Sequence, residues 1–314
     1  MTLRTLCASL AMAAMLVPPC AAADVTAEAY RAGVAVCMKA GDLACAEKNW
    51  QQVLRLQPND SRAMANLGIL MNRRDDHRAA VAMFERAIDL GEGTWDLFSY
   101  YADSLEKTGR IDDAIAWSYR TLKVVPTLVD VRGKLAKMLV LQKKYYEALS
   151  LLTAFDNGLG AKGHGAYFEA QRMAIESAIE RNGNAPSVER SGLRLAAQDS
   201  HFFVPVTIGV ARPATFLVDT GATVVVMDEA LLAESKVAYK VREKKVTFST
   251  ADNRRLSGQL LTVSALRLGP YDLKDVPVYA CKGCAPLLGQ SVLSRFDLKS
   301  SKLQGVEFLS LTLR

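Results

Sequence analysis

The sequence predicts a multidomain chain of α plus all-β class, with an N-terminal α-helical solenoid followed by a C-terminal closed β-barrel. Three observations carry this expectation. Ala46, Ala80, Ala114 and Ala148 recur at a constant spacing of 34 residues, a period typical of stacked helical repeats. Beyond residues 182–192, a stretch of Gly, Asn, Pro and Ser, the apolar period changes from helical to strand-like. In the second half, Phe216-Leu217-Val218 runs directly into Asp219-Thr220-Gly221, so that an apolar strand delivers a carboxylate into a turn that glycine permits.

The first element is one that the mature protein is expected to lose. Arg4 precedes a mostly apolar stretch at 6–17, and Ala21, Ala22 and Ala23 stand before Asp24. This is the pattern of a secretory signal over residues 1–23, and it is too short to span a membrane. Pro18 and Pro19 precede Cys20, where a lipid-anchoring signal would place small residues. Removing 23 of the 314 residues leaves 291, turns a net charge of +6 into +5 and leaves four of six cysteines. A periplasmic or secreted location follows, and the length suits two domains. These are expected at 24–181 and 193–314, joined by a linker at 182–192. A chain 50% hydrophobic and 23% charged is neither disordered nor fibrous. Without an arginine-rich or aromatic-interleaved stripe it does not read as a nucleic-acid binder. No later apolar run is long enough to predict a membrane span.

The 34-residue frames start near Ala27, Ser61, Trp95 and Val129. Twelve residues before each registered alanine stands Val34, Gly68, Ala102 or Ala136, which lets paired helices approach closely. Trp50, Phe84 and Leu152 fill one bulky slot, with Ser118 the exception, and Leu54, Ile88 and Leu122 fill another. Gly41 and Gly109 mark turns, and Pro58 and Pro126 close repeats one and three. The pattern resembles the tetratricopeptide repeat. The fourth unit departs from it, lacking the closing proline and carrying Asp156 at an apolar slot. A further helix at about 164–181 is expected to cap the array. Stacked repeats form a concave face, so the resemblance implies protein binding. Trp95, Tyr100, Tyr101, Arg73 and Arg74 are candidates for that face.

The second half reads as many short strands with turns every 8–12 residues. Runs at 202–208, 214–218, 276–279 and 306–313 are apolar and β-rich. Those at 246–249 and 260–263 flank a polar hairpin tip at 251–254, and a short helix is expected after Ser291. The basic run at 240–245 contains Glu243 and reads as a solvated loop or strand edge.

Chemistry points to one place. Asp219-Thr220-Gly221-Ala222 ends an apolar strand, and 68 residues after Asp219 comes Leu287-Leu288-Gly289, again apolar residues ending in glycine, followed by the helical 291–296. The order Asp-Thr-Gly-Ala, hairpin, apolar pair with Gly, and helix resembles the retropepsin-like aspartic proteases. It is most similar to bacterial single-domain members with the Asp-Thr-Gly-Ala signature. The resemblance spans about 193–314 and implies an acid-protease barrel. It makes Asp219 catalytic, gives Thr220 the task of holding the active-site loops across a dimer axis, and makes Gly221 and Ala222 part of the loop. It also places substrate between the hairpin tip at Ala251, Asp252 and Asn253 and a wall of Leu287, Leu288 and Gly289. Where viral members carry a glycine-rich apolar tip, this chain has Asp252, Asn253, Arg254 and Arg255.

A dyad of carboxylates cannot fully ionise when they lie a few Å apart, so the pair shares one proton and supplies both a base and an acid. The chain has one Asp-Thr-Gly, and Asp228, Asp252, Asp272, Asp275 and Asp297 lack its apolar-strand-then-glycine context. The expectation is therefore a C2 homodimer, with the strand at 306–313 helping to join the subunits. Peptide or protein is the implied substrate, and no cofactor is implied. The alternative is a non-catalytic periplasmic adaptor that uses the repeats for protein binding and the protease-like domain for dimerisation or peptide binding.

Four cysteines remain in an exported chain, where disulfides persist. Cys37 and Cys45 flank the first helix–helix turn and suit a staple between antiparallel helices. Cys281 and Cys284 suit a small disulfide loop, with a redox pair or a metal site as alternatives. His77, His164 and His201 offer no paired spacing for zinc, so no metal is expected.

Overall fold

A computed structural model describes residues 26–160, 162–181, 192–198, 200–249 and 255–314. The expected signal at 1–23, nearly all of the linker, and Ala251, Asp252 and Asn253 lie outside the described residues.

The first half is a stack of antiparallel helix pairs: α1 (Ala27–Lys39) with α2 (Leu43–Leu56), α3 (Ser61–Arg73) with α4 (His77–Asp89), α5 (Trp95–Lys107) with α6 (Ile111–Val124), and α7 (Val129–Leu141) with α8 (Tyr145–Gly160). All four registered alanines are fully buried. Small side chains are required at such crossings because a Cβ added to Gly68 would stand 2.8 Å from the Phe84 ring. Asp42, Asp60 and Asp76 cap α2, α3 and α4 by accepting the amides of Cys45, Ala63 and Ala79, each cap contributing about 1 kcal/mol. Gly41 and Gly109 sit at φ 72° and 83° after α1 and α5, the left-handed turns that glycine makes without steric cost.

The fourth pair shows why it departs from the pattern. The Asp156 carboxylate is buried, accepts the amides of Tyr167 and Phe168 at 2.9 and 3.1 Å, and pairs with Arg172 at 3.0 Å. It anchors the start of the capping helix α9 (Glu169–Arg181). That helix begins five residues later than expected.

The second half is built from β1 (Leu193–Ala196), β2 (Phe203–Thr207), β3 (Ala214–Val218), β4 (Val225–Asp228), α10 (Glu229–Ser235), β5 (Tyr239–Ser249), β6 (Arg255–Leu268), β7 (Tyr271–Cys281), β8 (Leu287–Leu288), α11 (Gln290–Leu293), β9 (Phe296–Leu303) and β10 (Val306–Leu313). One sheet runs β2-β3-β8-β4-β7-β6-β5, and a further pairing of β2 with β6, at Val206↔Leu268, closes it into a barrel. Phe216, Val225, Val263, Val278 and Leu288 are fully buried in its core. The basic run lies on β5, an edge strand, where charged side chains discourage addition of further strands.

A smaller sheet, β1-β10-β9, joins the two domains. Phe308 on β10 is fully buried, and its ring meets Tyr119 of α6 edge-on at 5.1 Å. The Arg194 guanidinium of β1 lies 3.7 Å from the centre of the same ring. Tyr119 donates to the buried Glu147 of α8 at 2.8 Å, and Lys123 and Arg120 of α6 cap the carbonyls of Gly305 and Gln304 at 2.5 and 2.9 Å. The Ser150 hydroxyl of α8 donates to the Phe203 carbonyl of β2 at 2.5 Å. Val306 and Phe308 thus belong to the hydrophobic core of the repeats.

This packing corrects one expectation. Strand β10 pairs β9 along its whole length and β1 over Phe308–Leu311, so most of its hydrogen-bonding groups are used inside the chain and it offers little free edge for joining subunits.

Candidate active site

Asp219 stands at the end of β3 because Phe216 anchors that strand in the barrel core. Strands β3 and β8 run parallel, with Leu217↔Leu287 and Val218↔Leu288 in register. Both chains therefore emerge at the same end, one as Asp219 and the other as Gly289. The Asp219 amide donates to the Leu288 carbonyl at 3.1 Å, and the Val218 amide donates to the Phe202 carbonyl at 2.9 Å.

The loop after Asp219 is held by its own carboxylate, whose Oδ1 accepts the Gly221 amide at 2.8 Å. Asp219 is half-buried, whereas Thr220, Gly221 and Thr223 are exposed. Glycine at 289 is a steric requirement. A Cβ there would lie 2.2 Å from the Val224 carbonyl oxygen and 2.7 Å from that of Ala222.

Two polar residues that sequence reasoning missed tie the loops together. Gln290 donates its side-chain amide to the Thr220 carbonyl at 2.9 Å and its backbone amide to the Ala222 carbonyl at 2.8 Å. Ser291 accepts the Val225 amide at 3.0 Å and donates to the Pro277 carbonyl at 2.9 Å. Ser291 opens the helix expected at 291–296, whereas α11 starts one residue earlier, at Gln290, for which the sequence carried no signal.

Close to its tip, the hairpin of β5 and β6 is held by Tyr279 of β7, whose hydroxyl contacts the Val246 and Leu256 carbonyls at 3.0 and 2.9 Å. Phe248 packs edge-on against the same ring at 4.8 Å. Val246, Phe248 and Leu256 share one apolar cluster with Leu287, Cys281 and Cys284. The structure thus brings the tip end of the hairpin against Leu287 and against Val224 of the loop after Asp219, while the tip residues themselves lie outside the described residues.

Cys37 and Cys45 approach with Cα atoms 5.6 Å apart and sulfurs at bonding distance, and Cys281 and Cys284 do the same. Among the described residues, no group of three His, Cys, Asp or Glu side chains is placed to hold a metal ion, and no helix is long and apolar enough to cross a membrane.

The repeat face differs in part from expectation. Tyr100 lines a cavity on the repeats, but Tyr101 is buried in the core, its hydroxyl donating to Glu85. Arg73 lies over the Tyr100 ring, Arg74 is drawn away into a pair with Glu47, and Trp95 is exposed.

Two family profiles match. One, described as "gag-polyprotein putative aspartyl protease", covers residues 204–295 and so includes both Asp219 and Gly289. The other, "Tetratricopeptide repeat", matches at 38–93 and 72–124. The chain carries tetratricopeptide repeats and a retropepsin-like aspartic protease domain.

No curated protein matches the chain. Among solved structures, YrrB, described as a tetratricopeptide repeat protein with an unusual peptide-binding site, is 22% identical. That match covers 41% of this chain and 66% of YrrB, with a TM-score of 0.39. A retropepsin-like aspartic protease from Rickettsia conorii is 18% identical over 38% of this chain and 92% of its own, with a TM-score of 0.27. A MamA RS-1 double mutant is 15% identical over 50% of this chain and 95% of its own, with a TM-score of 0.39. The protease profile falls on the closed barrel, and the repeat profile on α2–α6.

Proposed function

We propose that the protein is an exported aspartic endopeptidase, hydrolysing peptide bonds through two Asp219 carboxylates brought together in a C2 homodimer, with the repeats binding substrate or a partner protein. The observation that carries this reading is the parallel pairing of β3 with β8, which delivers a half-exposed Asp219 beside Gly289 at one end of the barrel.

A single carboxylate cannot serve as both base and acid in one step. Two from symmetry-related chains can, because repulsion at short range leaves one proton shared between them. The ionised Asp219 takes a proton from a water that attacks the scissile carbonyl. The protonated Asp219 donates to the carbonyl oxygen as negative charge develops there. Within each chain the Gly221 amide donates to Oδ1 of its own Asp219 at 2.8 Å, which fixes the carboxylate plane. Gln290 holds the Thr220 carbonyl and Ser291 the Val225 amide, so that this geometry is set before substrate arrives. The exposed loop at Thr220 and Gly221 is the surface through which a second copy would complete the dyad. In an oxidising compartment the two cysteine pairs form disulfides, one stapling α1 to α2 and the other closing the loop between β7 and β8.

Replacing Asp219 by Asn in the full chain tests the reading. Cleavage of denatured casein, favoured in acid, should fall by at least about 10²–10⁴-fold, with sedimentation showing a dimer in both forms. Wild-type-like cleavage by the Asn variant, or a stable monomer that still cleaves, would overturn the mechanism.

A further inference from the structure

The repeats enclose a cavity of about 290 Å³ between α3, α5 and α7. That is just below the range of small-molecule sites, about 300–1,000 Å³, and suits one or two large side chains. Asn72, Tyr100, Asp103, Glu106, Asp130 and Lys134 contribute its polar lining.

The charges there do not balance. Lys134 donates to Asp103 at 2.7 Å, and Asn72 donates to the other oxygen of the same carboxylate at 3.0 Å. Burial works to raise the Asp103 pKa, but these two hydrogen bonds prevail and hold it below its ordinary value, so the group is ionised at neutral pH. Lys134 is held above its ordinary value by the hydrogen bond to Asp103, against burial, with Glu106 and Asp130 adding their attraction. One ammonium thus stands among three carboxylates. Among the described residues, neither Glu106 nor Asp130 has an ion-pair partner, so the lining residues alone carry two net negative charges, with Lys107 acting on Asp103 from outside the lining. Arg73 stands at the rim over the Tyr100 ring at 5.8 Å, its guanidinium donating to the Tyr100 hydroxyl at 3.1 Å.

We infer that this cavity receives a lysine or arginine side chain from an extended segment of a partner or substrate protein. The inference rests on the reading that the repeats bind protein, and it names the chemistry they select. An incoming cation meets Glu106 and Asp130, the two carboxylates of the lining that have no ion-pair partner among the described residues, and must share the rim with Arg73. An acidic side chain meets the same two carboxylates and is repelled.

The test uses the full chain carrying Asp219→Asn, so that binding is measured without cleavage. The probes are fluorescein-labelled Gly-Ser-Gly-Arg-Ala-Arg-Gly-Ser-Gly and the same peptide with Glu in place of both Arg, followed by fluorescence polarisation. The Arg peptide should bind at least about tenfold tighter than the Glu peptide at about 50 mM salt, and the preference should shrink at about 300 mM. Glu106→Gln with Asp130→Asn should reduce it to within about twofold.

Lys134→Gln removes the resident cation and frees Asp103, and should strengthen binding of the Arg peptide several-fold, a gain that damaged folding does not produce. Equal binding of the two peptides, no binding of the Arg peptide up to about 1 mM, or a preference unchanged in the double variant would each overturn the inference. Those results leave the protease reading standing. Loss of proteolysis as the only failure would leave the cavity assignment standing.

Discussion

Truncating Phe308 to Ala tests whether the two domains share one core. The ring is fully buried between elements of both halves, edge-on to Tyr119 at 5.1 Å and under Arg194 at 3.7 Å. Removing a buried Phe side chain costs about 3–5 kcal/mol through lost transfer energy and the cavity left behind. The cation–π contact with the half-buried Arg194, about 1–2 kcal/mol, places Phe308→Ala in the upper half of that range. With a urea slope of about 2–3 kcal/mol/M, a loss of about 4–5 kcal/mol lowers the midpoint by about 1.3–2.5 M. All three tryptophans, Trp50, Trp95 and Trp117, lie in the repeats, whereas Phe308 lies on β10. Tryptophan fluorescence during urea unfolding therefore reports on the domain that does not carry the substitution. A fall in its midpoint by the stated amount is expected. An unchanged tryptophan transition would refute the shared core and make the docking of β10 energetically incidental.

Two further outcomes follow from single side chains. Burial raises the Glu147 pKa above its ordinary 4.5, against the pull of Arg194 and the hydrogen bond from Tyr119, so its contribution to stability is full below about pH 4.5 and is lost as pH rises through the folded value. Glu147→Gln should remove that dependence, so the wild type's midpoint relative to the variant declines as pH rises above about 4.5. A constant difference above that pH contradicts the assignment. Gly289→Ala places a Cβ 2.2 Å from the Val224 carbonyl oxygen, and should cost about 2–4 kcal/mol in denaturation and abolish cleavage, because the Asp219 and Gly289 loops must separate.

The elements that read well from the sequence are those whose side chains carry their own period. The registered alanines mark helix crossings because nothing larger fits there, and Phe216-Leu217-Val218 announces a strand that ends at Asp219. Strand β9 escaped notice because only Phe296 is buried in it and the remaining seven residues are exposed. It exists through pairing with β10 rather than through a pattern of its own. Strand β4 and helix α10 fall between recognised motifs and are only four and seven residues long. Tyr100 and Tyr101 are neighbours in sequence but lie about 100° apart around the helix axis, so one faces the cavity and the other the core. Gln290 and Ser291 could not be assigned, because what they satisfy are backbone carbonyls and an amide brought near only by the fold.

The docking of the repeats also limits how a second copy can approach. Helix α8 packs on β1, β2 and β3, and α6 packs on β10, while β10 spends most of its hydrogen-bonding groups on β1 and β9. The far edge of the barrel is β5, where Lys240, Arg242, Lys244 and Lys245 oppose strand addition. On the proposed mechanism the two carboxylates must still meet, and the exposed loop at Thr220, Gly221 and Thr223 is the part of the site that faces outward. A dimer built through that loop needs no rearrangement of β10 and leaves the repeats of each copy attached to the strand that carries its own Asp219. A short chain of contacts joins the repeats to Asp219: Ser150 of α8 donates to the Phe203 carbonyl at 2.5 Å, Phe203 pairs with Leu217 across β2 and β3, and the carboxylate stands two residues later.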